Sequence, residues 1–140
     1  MNKKQIRKNL QGFSLVELMV VIAIIAILAA IAIPIFSNYT TRAELGSELT
    51  KLGGAKMSAG DYITANNGDT SYTIIDIPDL HSGAMVNDGV TTGRITLSTD
   101  SIVSGSELRL IPSITSGTIA WICTVSGVNS SQTPSNCSIA

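Results

Sequence analysis

Polar and apolar positions divide the chain into stretches of different period. Residues 1–12 are polar and basic, with no apolar period of their own. From Phe13 the chain turns apolar and stays so to Phe36, with Ser14 and Glu17 the polar side chains near its start. About two dozen residues make roughly 36 Å of helix, enough to cross the hydrocarbon layer of a bilayer. About twelve Leu, Ile, Val and Phe side chains over 18–36 favour insertion by roughly 4–7 kcal/mol. One acid at mid-bilayer costs about 2.5–3.5 kcal/mol, and less near the end where Glu17 sits. The segment therefore inserts. Ala23, Ala26 and Ala30, with Ala29 and Ala32 beside them, recur at helical spacing; they either let a second helix approach closely or simply favour helix. Pro34 removes a backbone hydrogen bond inside the pattern, kinking or loosening the helix there.

Beyond Pro34 the period persists while the character changes. Leu45, Leu49, Leu52, Ala55 or Lys56, Ala59 and Ile63 form one apolar stripe, with Arg42, Glu44, Glu48 and Lys51 on other faces. Gly46, Gly53 and Gly54 each cost about 1 kcal/mol relative to Ala, so this half is weak and open to bending. Asn66-Asn67-Gly68 is the stop signal, with glycine expected at the left-handed position. The pattern predicts one helical spine of about fifty residues, some 80 Å long.

Residues 68–83 mix short apolar runs with turn chemistry and read as an irregular connection. Residues 85–90 read as a weak strand interrupted at Asn87-Asp88-Gly89. Arg94-Ile95-Thr96-Leu97-Ser98 and Glu107-Leu108-Arg109-Leu110 alternate cleanly, and 118–125 is the strongest strand. Turn clusters at 100–105 and 115–117 connect them into an antiparallel meander of roughly four strands. Such a sheet must cover its apolar face, and the stripe over 45–63 is the available partner. The fold class is α+β.

Composition adds an asymmetry. At 140 residues there is room for one domain plus an anchor. Of nine basic residues, Lys3, Lys4, Arg7 and Lys8 precede the apolar run, a basic leader of the kind that targets a chain from cytoplasm to membrane. Setting those four aside leaves five basic residues against ten acids, about −5. An acidic remainder argues against broad nucleic-acid binding, while leaving a local basic patch on an assembled surface open. The division expected is a leader at 1–12, an apolar helix at 13–36 and a globular head at 37–140.

Cys123 and Cys137 sit beyond a targeting segment that points outward, where an oxidised pair is the default and is worth roughly 3 kcal/mol for a loop of this size. Two free thiols or half a metal site are the alternatives, although no histidine or further cysteine lies nearby to complete a zinc shell. The tail after Gly127 is polar and would be floppy unless that bond pins it as a surface loop.

No catalytic constellation is present, and no cofactor or small-molecule substrate is expected. His81, the one histidine, reads as a solvated loop residue. The serines have no base, and Gly53-Gly54 does not form a phosphate-binding loop. Asp76, Asp79 and Asp88 could bind a hard cation, but turn formation explains them at least as well. The triplets at 38–40, 129–131 and 136–138 fit the glycosylation pattern, which recurs by chance.

Glu17 remains. A helix dipole favours an acid near the N-terminus by about 0.3–1 kcal/mol, which explains tolerance and supplies no partner. A carboxylate in an apolar run ordinarily meets a specific cation. After the leader the next basic residue is Arg42, too far along the helix to reach it. A cut between Gly12 and Phe13 would create an α-amine four residues before Glu17, on this copy or on a neighbour. At about 4 Å and an effective dielectric near 20, that attraction is about 4 kcal/mol before desolvation.

The run Gly12-Phe13-Ser14-Leu15-Val16-Glu17, the basic leader, the apolar stretch and Pro34 resemble the class III signal and N-terminal helix of type IV pilins, the short leader and Phe13 resembling type IVa. Gly117-Thr118-Ile119-Ala120-Trp121-Ile122-Cys123 resembles the final strand of major pilins, and Cys123 and Cys137 the pair enclosing their C-terminal loop. The resemblance implies cleavage after Gly12 by a membrane-embedded prepilin peptidase and N-methylation of Phe13. It implies pairing of Glu17 with the Phe13 amine of an adjacent subunit. The subunit would wait in the bacterial inner membrane and be drawn by the assembly machinery into a helical homopolymer, an extracellular pilus serving twitching motility, adhesion to a host surface or DNA uptake. Many relatives carry a second proline where this chain has Gly53-Gly54, which leaves the second bend of the spine open. The alternatives are a type II secretion pseudopilin or minor pilin, and, in another class, a secreted binding module cut after Ala30-Ile31-Ala32.

Overall fold

The computed structural model describes residues 12–86 and 93–140, so the basic leader and the expected turn at Asn87-Asp88-Gly89 lie outside the described residues. The chain divides into two units, one ending at Phe36 and the other Ser37–Ala140. Helix α1 (Leu15–Lys51) carries Pro34 within it, and helix α2 (Gly53–Ala65) follows after the single residue Leu52. The expected spine runs from Leu15 to Ala65, with a one-residue interruption at Leu52. Leu52 keeps helical φ at −76° while ψ opens to −2°, and hydrogen bonds still run from Leu52 N to Glu48 O and from Lys56 N to Leu52 O. The interruption falls beside Gly53-Gly54, where the backbone is least committed to helix. Gly54 also has a packing reason: a Cβ there would stand 3.1 Å from Cβ of Asp79.

The spine ends where expected, by a slightly different device. Asn67 adopts the left-handed conformation (φ 56°), and the N–H of Gly68 reaches back to the carbonyl of Ile63 at 2.8 Å. Six residues closed by this bond make a Schellman ending, with asparagine taking the place usually held by glycine.

Five strands follow: β1 (Ala84–Val86), β2 (Ile95–Ser98), β3 (Glu107–Thr115), β4 (Thr118–Ser126) and β5 (Ser138–Ile139), in sheet order β1-β2-β3-β4-β5. The first four form the expected antiparallel meander. The fifth was not expected: it pairs parallel to β4 through Thr124 with Ser138 and Val125 with Ile139. Strand β3 runs past Leu110, where alternation stops, through Pro112 to Thr115. Its pairing with β2 ends at Leu110, so the missing N–H of Pro112 interrupts no pairing with β2. Ser116 and Gly117 both have positive φ (50° and 79°) between the paired Thr115 and Thr118, the two-residue turn whose twist suits a hairpin.

The core lies in the Ser37–Ala140 unit. Leu45, Leu52, Ala55, Ala59 and Ile63 are buried together with Ile95, Leu97, Leu108, Leu110, Cys123 and Val125, so the helical stripe covers the apolar face of the sheet. Lys56 is exposed and Ala55 buried, which settles the register of the stripe. The connection over 68–83 is irregular, as its sequence predicts, but it packs. Tyr72 and Ile77 are buried, the Tyr72 ring meets Tyr62 edge-on at 5.9 Å, and the Tyr72 hydroxyl donates to the Gly93 carbonyl. Burial pushes the Tyr72 phenol well above its ordinary range.

Candidate functional site: the N-terminal helix and the disulfide loop

In the N-terminal unit the first helical hydrogen bond runs from Leu18 N to Ser14 O, and Glu17 stands in the first turn of α1. There its carboxylate meets the positive end of the helix dipole. Among the described residues Glu17 forms no ion pair or side-chain hydrogen bond. Gly12 is exposed and Phe13 is 87% exposed. Every Leu, Ile and Val from Leu15 to Ile35 is exposed, from Val21 at 48% to Leu15 at 73%. A helix apolar on all sides has no stable place in water and requires lipid or other helices around it. This helix is long and apolar enough to cross a membrane. Backbone helicity persists through Pro34, whose missing N–H leaves the carbonyl of Ala30 without its usual donor.

At the other end of the chain, Cys123 in β4 bonds Cys137, which immediately precedes β5, with the Cα atoms 4.5 Å apart. This closes the choice left open by the sequence between a disulfide, free thiols and a metal half-site. The enclosed loop is not the floppy tail its composition suggests. Asn129 O accepts from Gln132 N and from the Thr133 hydroxyl, Gln132 Oε1 accepts from Asn129 N, and Cys137 N donates to Pro134 O. Thr133 and Pro134 are buried. Sequence reasoning missed that Arg42, on α1, lines a groove with this loop, because the partners are some ninety residues apart in the chain and no local pattern joins them.

The remaining candidates resolve into structure. His81 is not simply solvated: its Nε2 stands 3.6 Å from Glu48 Oε2, and Glu48 also pairs with Lys51 at 2.7 Å. Asp76 accepts from the backbone and hydroxyl of Thr73, and Asp69 from those of Ser71; these bonds hold both carboxyls below the ordinary range. Asp79 accepts from the Ser58 hydroxyl at 3.1 Å. Turn formation and packing therefore account for these acids; Asp88 lies outside the described residues.

The N-terminal sequence has a counterpart in known proteins. Residues 7–33 match the prokaryotic N-terminal methylation motif, and residues 41–138 match the pilin (bacterial filament) family. The chain belongs to the pilin family. This pilin is 32% identical to the fimbrial protein EcpC of Eikenella corrodens, over 96% of the chain and 92% of that relative. It is 32% identical to a type IV major pilin protein PilE1 of Neisseria gonorrhoeae over 81% of the chain and 74% of the relative. A fimbrial protein of Pseudomonas aeruginosa is 40% identical over 48% of the chain and 49% of its own length. Pilins are structural rather than catalytic proteins, and they act as filament subunits. The exposed apolar helix of this pilin is the kind of surface a filament of copies, or a membrane, would cover.

Proposed function

We propose that this pilin is the major subunit of a type IVa pilus, matured by prepilin peptidase between Gly12 and Phe13 and N-methylated on Phe13. The apolar helix holds the subunit in the inner membrane before assembly. The assembly machinery then transfers it into a helical homopolymer in which the same helix packs against copies of itself, exchanging lipid for protein. The filament serves twitching motility, adhesion or DNA uptake.

The observation that carries this reading is Glu17, an acid in an exposed apolar helix with no partner among the described residues. The amine created at Phe13 of a neighbouring copy is the cation that fits it, with an attraction of about 4 kcal/mol before desolvation at about 4 Å. That is enough to fix the register between copies. The Cys123–Cys137 bond supports a pilin over a pseudopilin. Continuity of α1 from Leu15 to Lys51 counts against a secreted module, since a cut after Ala32 would open the helix near its middle. Mass spectrometry of the mature N-terminus tests the proposal. N-methyl-Phe13 as the first residue is expected, and a chain beginning at Ile33 would overturn it.

A further inference from the structure

We propose that Asn67-Gly68 is a site of spontaneous deamidation, held shut by the cap that ends the spine. Among the asparagines of the chain, Asn67 alone is followed by glycine. Glycine has no Cβ to crowd an approach to its own backbone nitrogen, so this pair is the one most open to attack by that nitrogen on the asparagine side chain. Asn67 is exposed, and its carboxamide makes no hydrogen bond to a described residue, so water reaches it and the side chain is free to turn.

The reaction needs only hydroxide and water. The N–H of Gly68 gives its proton to hydroxide, and the nitrogen lone pair forms a bond to Cγ of Asn67. The Cγ–Nδ2 bond then breaks, and the departing nitrogen takes a proton from water and leaves as ammonia. The five-membered imide that remains adds water at either of its carbonyls. Opening at the side-chain carbonyl gives aspartate. Opening at the main-chain carbonyl gives isoaspartate, with the main chain rerouted through Cβ. No oxidant or reductant is needed.

The fold blocks the first step. The Gly68 N–H is donated to the Ile63 carbonyl at 2.8 Å, so the proton that must leave is held and the nitrogen is turned back toward the helix. Asn67 itself is committed to the left-handed turn at φ 56°. On either side, Asn66 N donates to Tyr62 O at 3.0 Å and Asp69 N to Asn66 O at 3.1 Å, which fixes the flanking peptide units. The neighbouring carboxylate does not stand in for hydroxide, because Asp69 accepts from the backbone and the hydroxyl of Ser71. Attack therefore waits for the cap to open, and its rate is the open-chain rate scaled by the population of the open cap. The product closes the way back. Isoaspartate adds a methylene to the main chain inside the closure from Ile63 to Gly68, and either product places a negative charge at the negative end of the α2 dipole. Asn67 also lines a groove of about 360 Å³ with Ile63, Thr64, Ile114 and Ile119, so that charge arrives beside apolar side chains. The isoaspartyl chain cannot re-form the same cap, and each such residue is a permanent record of an opening at the end of the spine.

The test incubates the full chain in detergent micelles in mildly alkaline buffer, beside the same chain unfolded in guanidinium. Aspartate and isoaspartate at position 67 are followed by peptide mass spectrometry. Position 67 should convert at least about tenfold more slowly in the folded chain, by a factor matching the hydrogen-exchange protection of the Gly68 amide, since one bond gates both. In the unfolded chain it should convert severalfold faster than Asn129, which precedes Ser130. Ile63→Val trims the residue whose carbonyl holds the cap by a single methylene, and should speed folded-state conversion and Gly68 exchange together by about two- to tenfold. Equal rates in the folded and unfolded chains overturn the gate. So does a folded rate that stays fixed while Gly68 exchange rises in Ile63→Val. Conversion at Asn129 as fast as at Asn67 in the unfolded chain overturns the site.

Discussion

Removing the disulfide gives the sharpest test of how the head is held. Cys137→Ser leaves the fold's contacts almost intact, since Cys137 is only half-buried and packs at the margin of the core. It opens a loop spanning 14 residues of sequence separation. In the chain-entropy picture such a loop restricts the unfolded state by about 3 kcal/mol. For a unit of this size each kcal/mol moves the melting temperature by about 4–8 °C, so a loss of at least about 12 °C is expected. Cys123→Ser should cost more. Cys123 is 8% exposed within the cluster of Leu108, Leu110 and Val125, and a hydroxyl without a partner there adds about 1–3 kcal/mol. The assay is thermal unfolding of the full chain in detergent, followed by fluorescence of its single tryptophan, Trp121, two residues before Cys123 in β4 and packed against the core. Loss of the bond also frees β5, which is held to β4 by only two residue pairs, so amides at 138–139 should lose exchange protection ahead of the meander. A Cys137→Ser chain melting within about 3 °C of wild type would refute the entropy argument. Two freely reactive thiols in the wild type would refute the bond itself.

Gly127 has φ +77°, and a Cβ there would stand 2.5 Å from the Gly105 carbonyl oxygen; Gly105, at φ +76°, has open space around it. Gly127→Ala should therefore cost clearly more than the about 1–3 kcal/mol of backbone strain that Gly105→Ala shares with it, read as a larger fall in urea midpoint. Asp69 and Asp76 have carboxyl pKa values lowered by their turn hydrogen bonds, so their contribution is present above the ordinary carboxylate range and is lost as pH falls through their folded values. Asp76→Asn should flatten stability between about pH 4 and lower values in denaturant titrations, and an unchanged slope would show that the turn bonds contribute nothing. Glu17→Ala should leave processed subunits in the membrane with few or no filaments, counted by electron microscopy and membrane fractionation. Normal piliation in that variant would remove the pairing argument.

The parts of this fold legible in the sequence are those where a long period reports one buried face. Leu45, Leu52, Ala55, Ala59 and Ile63 were readable because a stripe at helical spacing can only be buried on one side, and it is. Residues 107–110 were readable for the same reason at the period of a strand, with Leu108 and Leu110 buried between half-buried Glu107 and Arg109; in β2 the alternation placed Ile95 and Leu97 in the core, although Thr96 on the opposite face is buried as well. What escaped is set by contacts across the chain. Strand β5 is two residues long, too short to show any alternation, and owes its place to the neighbouring Cys137. The end of β3 lost its alternation at Ile111 and Pro112 because β2 no longer covers it. The break at Leu52 was foreshadowed by Gly53-Gly54 but not located, since a glycine pair permits a bend without demanding one. In the candidate site, Gly12, Phe13 and Glu17 fall within one short run of the sequence and are readable as a motif. Arg42 is not, because the groove it lines belongs to residues 130–139 brought back by the disulfide.

The central claim is that one helix serves first as membrane anchor and then as the contact between copies, with Glu17 setting the register. A high-resolution structure of the assembled filament measures this directly. The account predicts the Glu17 carboxylate within about 4 Å of the Phe13 amine of an adjacent subunit, with the helix surface over 13–36 buried against other copies. A carboxylate facing only its own chain, or lying more than about 8 Å from any neighbouring amine, where salt screens the attraction, would contradict it.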